Sequence, residues 1–149
     1  MGYDVECVSE LPIRNEDVEK ARELVEKYHE SMEDKEYFKP GIRPYGSHYE
    51  LVLYDLTEGD DVVVGSLHND TLYELLDPVI RYLKENGVPI TGWLFQNYEG
   101  TEVSTTIYKD GKELGYLNEC GLSRMCLKYI LNDGGKIDFK LINHTVLEG

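Results

Sequence analysis

The sequence predicts one α+β domain over residues 1–149, in which a mostly antiparallel sheet of about six or seven strands packs on two or three helices as a two-layer sandwich. Two segments carry apolar residues at helical spacing, several segments have the alternation of strands, and short turn signals separate those strands. Because the helices have apolar faces to bury and the sheet needs one face covered, two packed layers are the economical arrangement.

The elements of the N-terminal half follow from local patterns. Tyr3–Leu11 alternates partly and predicts a first strand, after which Asn15 is suited to cap a helix. The prolines and glycines of Asp34–Ser47 predict a loop, and His48–Leu56 and Asp61–Leu67 then predict the two strands of a hairpin. The helix has one apolar stripe in steps of three and four residues, which consists of Val18, Ala21, Leu24, Val25, Tyr28 and Met32.

A second helix is predicted over Asn69–Gly87, with Asn69 or Asp70 as its N-cap and Gly87 as the residue after its end. Pro78 lies inside this segment. It would either kink one helix or be the first residue of a second helix.

The C-terminal part begins with a predicted meander. Asp110-Gly111 is a strong hairpin signal within it. Gly121–Gly135 predicts a short helix, and Lys136–Asn143 predicts a last strand. The three strands of the meander are Ile90–Tyr98, Glu102–Lys109 and Lys112–Leu117.

The charge of the chain limits its partners. Lys plus Arg number 15 and Asp plus Glu number 29, which gives a formal net charge of −14. Residues 1–61 contain 17 acids and 7 bases and therefore carry −10 of that charge. Such a surface repels nucleic acid and anionic membranes, whereas it attracts a basic partner such as a nucleic-acid-binding protein.

Other global features predict a soluble cytoplasmic protein. The N-terminus is polar and acidic, and no apolar run approaches the length of a membrane span. The chain has three cysteines, an odd number that argues against a disulfide framework.

A line of glutamates is the first candidate binding surface. Steps of three and four residues keep side chains on one helical face, so one carboxylate recurs about every 5 Å. A nucleic-acid duplex carries roughly one charge per 1.7 Å, so mimicry of a duplex would need a second acidic row. The six members of this acidic stripe are Glu16, Glu19, Glu23, Glu26, Glu30 and Glu33. Candidates for the second row are Asp55, Glu58, Asp60 and Asp61 at the tip of the hairpin, together with Asp34 and Glu36.

An ordinary solvated helix face also explains part of the stripe. Lys20 follows Glu16 by four residues and Lys27 follows Glu23 by four, which is the spacing of helix-stabilising ion pairs. The loop after the helix offers a further contact surface through Tyr37 and Tyr45. Tyrosines are favoured at interfaces, but the same residues could form a satellite core under the loop.

The function predicted first is that of a non-enzymatic protein that binds a basic surface on another macromolecule. In size and charge the chain is similar to small acidic phage-encoded inhibitors, such as anti-CRISPR and anti-restriction proteins that occupy nucleic-acid-binding grooves. This resemblance implies an inhibitor that acts by steric competition, which can include nucleic-acid mimicry. No G-x-S-x-G or phosphate-binding loop occurs, so we expect no enzymatic activity.

Two alternatives stay open. The helix over residues 71–86 and the strand ITGWLFQNYEG resemble the effector-binding domains of bacterial transcription regulators, which implies a small-molecule cleft lined by Trp93, Tyr98, Glu102 and Tyr108. A zinc-stabilised binding protein is the third possibility, with Cys120 and Cys126 as weak candidate ligands. The C-x2-C pair of a zinc knuckle is absent, so we expect no cofactor.

Overall fold

A computed structural model describes residues 4–57, 60–61, 64–68, 71–98, 102–117, 131–132 and 136–137. It confirms the α+β class with antiparallel strands and two helices. The helices are α1, Val18–Ser31, and α2, Leu72–Glu85. The strands are β1 (Asp4–Glu10), β2 (Pro12–Ile13), β3 (Phe38–Tyr45), β4 (His48–Asp55), β5 (Asp60–Asp61), β6 (Val64–His68), β7 (Gly92–Tyr98), β8 (Glu102–Lys109), β9 (Lys112–Leu117), β10 (Leu131–Asn132) and β11 (Lys136–Ile137).

The strands divide between two main sheets, whereas the sequence predicted one. The first sheet has the order β6-β1-β7-β8-β9, and the second has the order β2-β4-β3, with β5 also paired to β4. Leu11 joins the two sheets, since its carbonyl accepts a 2.9 Å hydrogen bond from the Leu51 amide of β4. The helices and both sheets share one buried cluster, in which Val5 of β1, Leu24 of α1, Leu53 of β4 and Ile80 of α2 take part.

The segment after β4 does not form the simple hairpin that was predicted. β5 pairs with β4 only at Tyr54↔Asp61 and Asp55↔Asp60. The chain then leaves this sheet, and β6 pairs with β1 in the other sheet. The segment that was predicted as one strand therefore contributes β5 to the sheet of β4 and then β6 to the sheet of β1.

The loop predicted over residues 34–47 is wrong in part, because β3 occupies most of it. Pro40 and Pro44 lack an amide hydrogen and would be excluded from a central strand. Among the described strands, β3 pairs only with β4, at the edge of its sheet, where proline is tolerated.

Helix α1 begins later than predicted. Residues Asn15–Asp17 form a 3-10 turn, and neither Arg14 nor Asp17, at the two cap positions, makes a side-chain cap hydrogen bond. The predicted role of Asn15 as N-cap is therefore wrong. The apolar stripe is confirmed as far as Tyr28, since Val18, Ala21, Leu24 and Val25 are buried and Tyr28 packs against the core, whereas Met32 lies beyond the end of α1.

Helix α2 is one helix that contains Pro78, so the predicted division at this residue does not occur. Its N-cap is Thr71, whose hydroxyl accepts a 3.1 Å hydrogen bond from the Glu74 amide, and not Asn69 or Asp70. Gly87 follows the helix with a φ of +88°, as predicted. In the part of the chain that the structure describes, no helix has the length and apolar character needed to cross a membrane.

The meander is confirmed as β7, β8 and β9. Asp110 and Gly111 have φ values of 51° and 82°, as a two-residue turn with two left-handed residues requires. Leu131–Asn132 is a strand paired with Lys136–Ile137, so the helix predicted over Gly121–Gly135 is wrong at these two residues. The rest of that segment, and residues 138–143 of the predicted last strand, lie outside the described residues.

Candidate protein-interaction surface

The acidic stripe is exposed along its whole length, but only part of it is helical. Glu16 lies in the 3-10 turn, and Glu33 lies beyond the end of α1. The four members on α1 itself are Glu19, Glu23, Glu26 and Glu30.

Basic residues partly neutralise the first two thirds of the stripe. Glu16 lies 3.6 Å from Arg14, Glu19 lies 3.7 Å from Arg22, and Glu26 lies 3.0 Å from Lys39 on β3. These partners are not Lys20 and Lys27, for which no ion pair forms within the described part of the chain. The Lys20 ammonium instead lies at Gly87, beside the C-terminal end of α2, where the helix dipole favours a cation.

The proposed second acidic row is short. Asp55 ends β4 and is paired with Phe38, the first residue of β3, on one side and with Asp60 on the other. Adjacent strands are about 4.8 Å apart, so the backbone of Asp60 lies roughly 10 Å from that of Phe38. The backbone of Asp61 lies opposite Tyr54, and Glu58 lies outside the described residues. The loop after α1 enters β3 beside these strand ends.

Two residues with exposed apolar side chains are joined through their backbones at this same place. Tyr37 is 53% exposed and Leu56 is 44% exposed, and they are the exposed large hydrophobic residues of the described chain. The Leu56 amide donates a 2.8 Å hydrogen bond to the Tyr37 carbonyl. Sequence patterns did not indicate Leu56 as a surface residue, because it matches the last apolar residue of a strand.

A compact turn presents Tyr37. The amides of Tyr37 and Phe38 both donate to the Asp34 carbonyl, at 2.9 and 3.0 Å. The His29 ring Nε2 lies 2.8 Å from the Lys35 carbonyl oxygen, which fastens the turn to α1. Glu33, Asp34 and Glu36 are exposed here, and none of them forms an ion pair with another described residue. We name the set Glu33, Asp34, Glu36, Tyr37 and Leu56 the Tyr37–Leu56 patch.

The remaining aromatic residues of this region do not join the patch. Tyr45 ends β3, some 23 Å along the strand from Phe38 at about 3.3 Å per residue. Tyr49 packs against the core, with the Arg22 guanidinium 5.3 Å from its ring centroid. Phe38 is also packed against the core. Tyr37 is therefore exposed at the surface, whereas Tyr49 of β4 packs against the main core.

The residues suggested for a small-molecule cleft lie in a packed interior where they are described. Trp93 and Tyr108 are buried, and the Tyr108 hydroxyl donates a 2.7 Å hydrogen bond to Asp77. Burial and this carboxylate raise the pKa of the Tyr108 hydroxyl far above its usual range. The backbones of Tyr98 and Glu102 pair at the β7–β8 turn, and their side chains lie outside the description.

The zinc candidates Cys120 and Cys126 lie outside the described residues. Cys7 is buried, and its thiol donates to the Val5 carbonyl at 3.4 Å. Among the residues that are described, no group of three or more His, Cys, Asp or Glu side chains could hold a metal ion.

Comparison of the chain with protein-family models gives no match, and comparisons with curated proteins and with solved structures give none either. The function is therefore inferred from the residues themselves.

Proposed function

We propose that this protein is a non-enzymatic binding protein that engages a basic surface on another macromolecule through the Tyr37–Leu56 patch. The observation that carries the proposal is the pair of exposed apolar side chains, Tyr37 and Leu56, beside three exposed acids without basic partners in the described chain. The partner we infer is a nucleic-acid-binding protein or complex, which the protein inhibits in the manner of phage anti-CRISPR or anti-restriction proteins.

The chemistry of the patch suits such a partner. Binding energy at interfaces concentrates in a few central residues, in which tyrosine is enriched, while a charged rim contributes specificity and a fast encounter. The net charge of −14 attracts a basic groove over a distance set by the ionic strength. Carboxylates would take the place of phosphates in that groove, and Tyr37 would supply an apolar anchor.

The end of the stripe supports this proposal better than its middle does. Three carboxylates lie within the four residues 33–36, whereas the helical part has one about every 5 Å. The middle of the stripe also has Arg22 and Lys39 against its glutamates. Glu30, Asp55, Asp60 and Asp61 would extend the contact around the patch.

Two charge-reversed variants with the same change in net charge test the proposal. The patch variant carries Glu33→Lys, Asp34→Lys and Glu36→Lys, and the control carries Glu19→Lys, Glu23→Lys and Glu26→Lys. Each immobilised protein is exposed to a bacterial lysate at low and high salt, and the bound proteins are then challenged with duplex DNA and with RNA.

The expected result is salt-sensitive capture of a nucleic-acid-binding protein that DNA or RNA displaces, with loss of capture by the patch variant and retention by the control. Tyr37→Ser combined with Leu56→Ser should also lose capture, although it leaves the charge unchanged. Capture that nucleic acid does not displace, or that both charge variants lose equally, would contradict the proposal.

A further inference from the structure

A surface cavity of about 390 Å³ lies between the second half of α2 and the β8–β9 hairpin. Arg81, Lys84 and Lys112 line it together with Tyr108 and the backbone of Gly111. It shares no residue with the Tyr37–Leu56 patch. Cavities of about 300–1,000 Å³ are typical of small-ligand sites, so this one has room for more than a bare ion.

The walls of the cavity are fixed by specific contacts. The Asp110 amide donates to the Thr91 hydroxyl at 2.9 Å, and the Gly111 amide donates to the Ile90 carbonyl at 2.7 Å. A β-carbon at Gly111 would lie 2.7 Å from the Lys84 β-carbon, so the Lys84 stem packs directly on the hairpin turn. These contacts hold the turn against α2.

The floor of the cavity is also ordered. The Tyr108 hydroxyl donates to Asp77, and the Tyr73 hydroxyl donates to Glu113 at 3.3 Å. The register of β8 and β9 shifts between Ile107 and Tyr108, and such bulges commonly redirect side chains next to functional sites.

Both signs of charge line the cavity. Arg81, Lys84 and Lys112 lie beside two carboxylates, Glu85 and Glu113. Arg81 Nε lies 2.9 Å from the Asp77 carboxylate, and this ion pair neutralises much of the charge of Arg81. Neither Lys84 nor Lys112 has a carboxylate within ion-pair distance among the described residues. These two lysines therefore supply the attraction for an incoming anion.

We propose that this cavity binds a small anion, with a phosphate or carboxylate group held by Lys84 and Lys112. Ammonium groups bind both kinds of oxyanion as point charges.

Amide chemical shifts of Gly111 and Lys112 test this proposal when the full chain is titrated with inorganic phosphate, pyrophosphate or citrate. Sodium chloride at the same ionic strength is the reference for screening. The variant is Lys84→Gln with Lys112→Gln, and Lys84→Arg with Lys112→Arg keeps the charges. The matched control is Lys27→Gln with Lys35→Gln, two exposed lysines outside the cavity.

A saturable shift is expected with at least one of the three anions, and its dissociation constant should rise at least tenfold in the glutamine variant. The arginine variant and the Lys27/Lys35 control should stay within threefold of the parent. The phosphate and citrate arms separate phosphate ligands from carboxylate ligands. The absence of a saturable shift with all three anions, or an equal loss in variant and control, overturns the proposal.

Discussion

Tyr108 and Asp77 form a buried hydrogen bond of 2.7 Å that joins strand β8 to helix α2. The second carboxylate oxygen of Asp77 lies 2.9 Å from Arg81 Nε in an ion pair, so both oxygens of this helix-interior acid have a partner. The arrangement places a carboxyl group inside the apolar face of α2 with a partner for each of its oxygens.

Tyr108→Phe should therefore destabilise the fold by about 1–3 kcal/mol, because the buried Asp77 oxygen loses its donor. Tyr73→Phe is the matched control, since the Tyr73 hydroxyl is only partly buried and its bond to Glu113 is longer, at 3.3 Å. Urea unfolding measures both changes. Equal losses in the two variants would contradict the prediction.

Arg43 and Glu50 form an ion pair of 2.9 Å between directly opposed positions of β3 and β4. Glu50 is fully buried, so Arg43→Gln should cost about 3–5 kcal/mol by removing a charge partner from it. The double variant Arg43→Gln, Glu50→Gln should be more stable than Arg43→Gln alone, as urea unfolding can show. A double variant less stable than the single one would argue that Arg43 does not compensate Glu50.

Glu10 provides a prediction of pH dependence. Burial raises the pKa of its carboxyl above the ordinary 4.5, and the neighbouring Trp93 indole partly offsets that rise. The folded state then binds a proton more tightly than the unfolded state does, so stability falls as pH rises from 4.5 through the folded-state pKa. Glu10→Gln should raise the melting temperature at about pH 7 by about 1–3 °C, and the gain should vanish below about pH 4. A gain that is the same in acid as at neutral pH would assign it to another cause.

Gly92 and Gly41 should differ sharply in their tolerance of alanine. A β-carbon at Gly92 would overlap the Glu10 carbonyl oxygen and lie 3.0 Å from the Leu11 α-carbon, so backbone must move. A β-carbon at Gly41 would overlap the ring of Tyr54, a side chain that can rotate away. Gly92→Ala should cost roughly 3 kcal/mol and Gly41→Ala about 1 kcal/mol in urea unfolding. The opposite order would be inconsistent with these contacts.

Local signals were sufficient for much of the fold. The apolar stripe of α1 and the Asp110-Gly111 turn depend on neighbours in sequence, and both appear where they were predicted. β3 was missed because the tolerance of Pro40 and Pro44 depends on an edge position in a sheet, which is a tertiary property.

The candidate site was predictable only in part, for the same reason. The exposure and charge of the stripe follow from its spacing, but its neutralisation by Lys39 requires β3 beside α1. The burial of Asp77 depends on Tyr108, which is 31 residues away in sequence. The position of Leu56 beside Tyr37 likewise depends on the pairing of β3 with β4.

The Tyr37–Leu56 patch consists of two chain segments, which are joined by the hydrogen bond from the Leu56 amide to the Tyr37 carbonyl. One segment enters β3 and the other leaves β4, so both halves of the patch are together only while the ends of this hairpin stay closed. A partner that binds across both segments would keep them together, and the Leu56 amide would then exchange its hydrogen more slowly in the complex. Binding of the partner and closure of the hairpin ends would each favour the other, and the Leu56 amide would report on both.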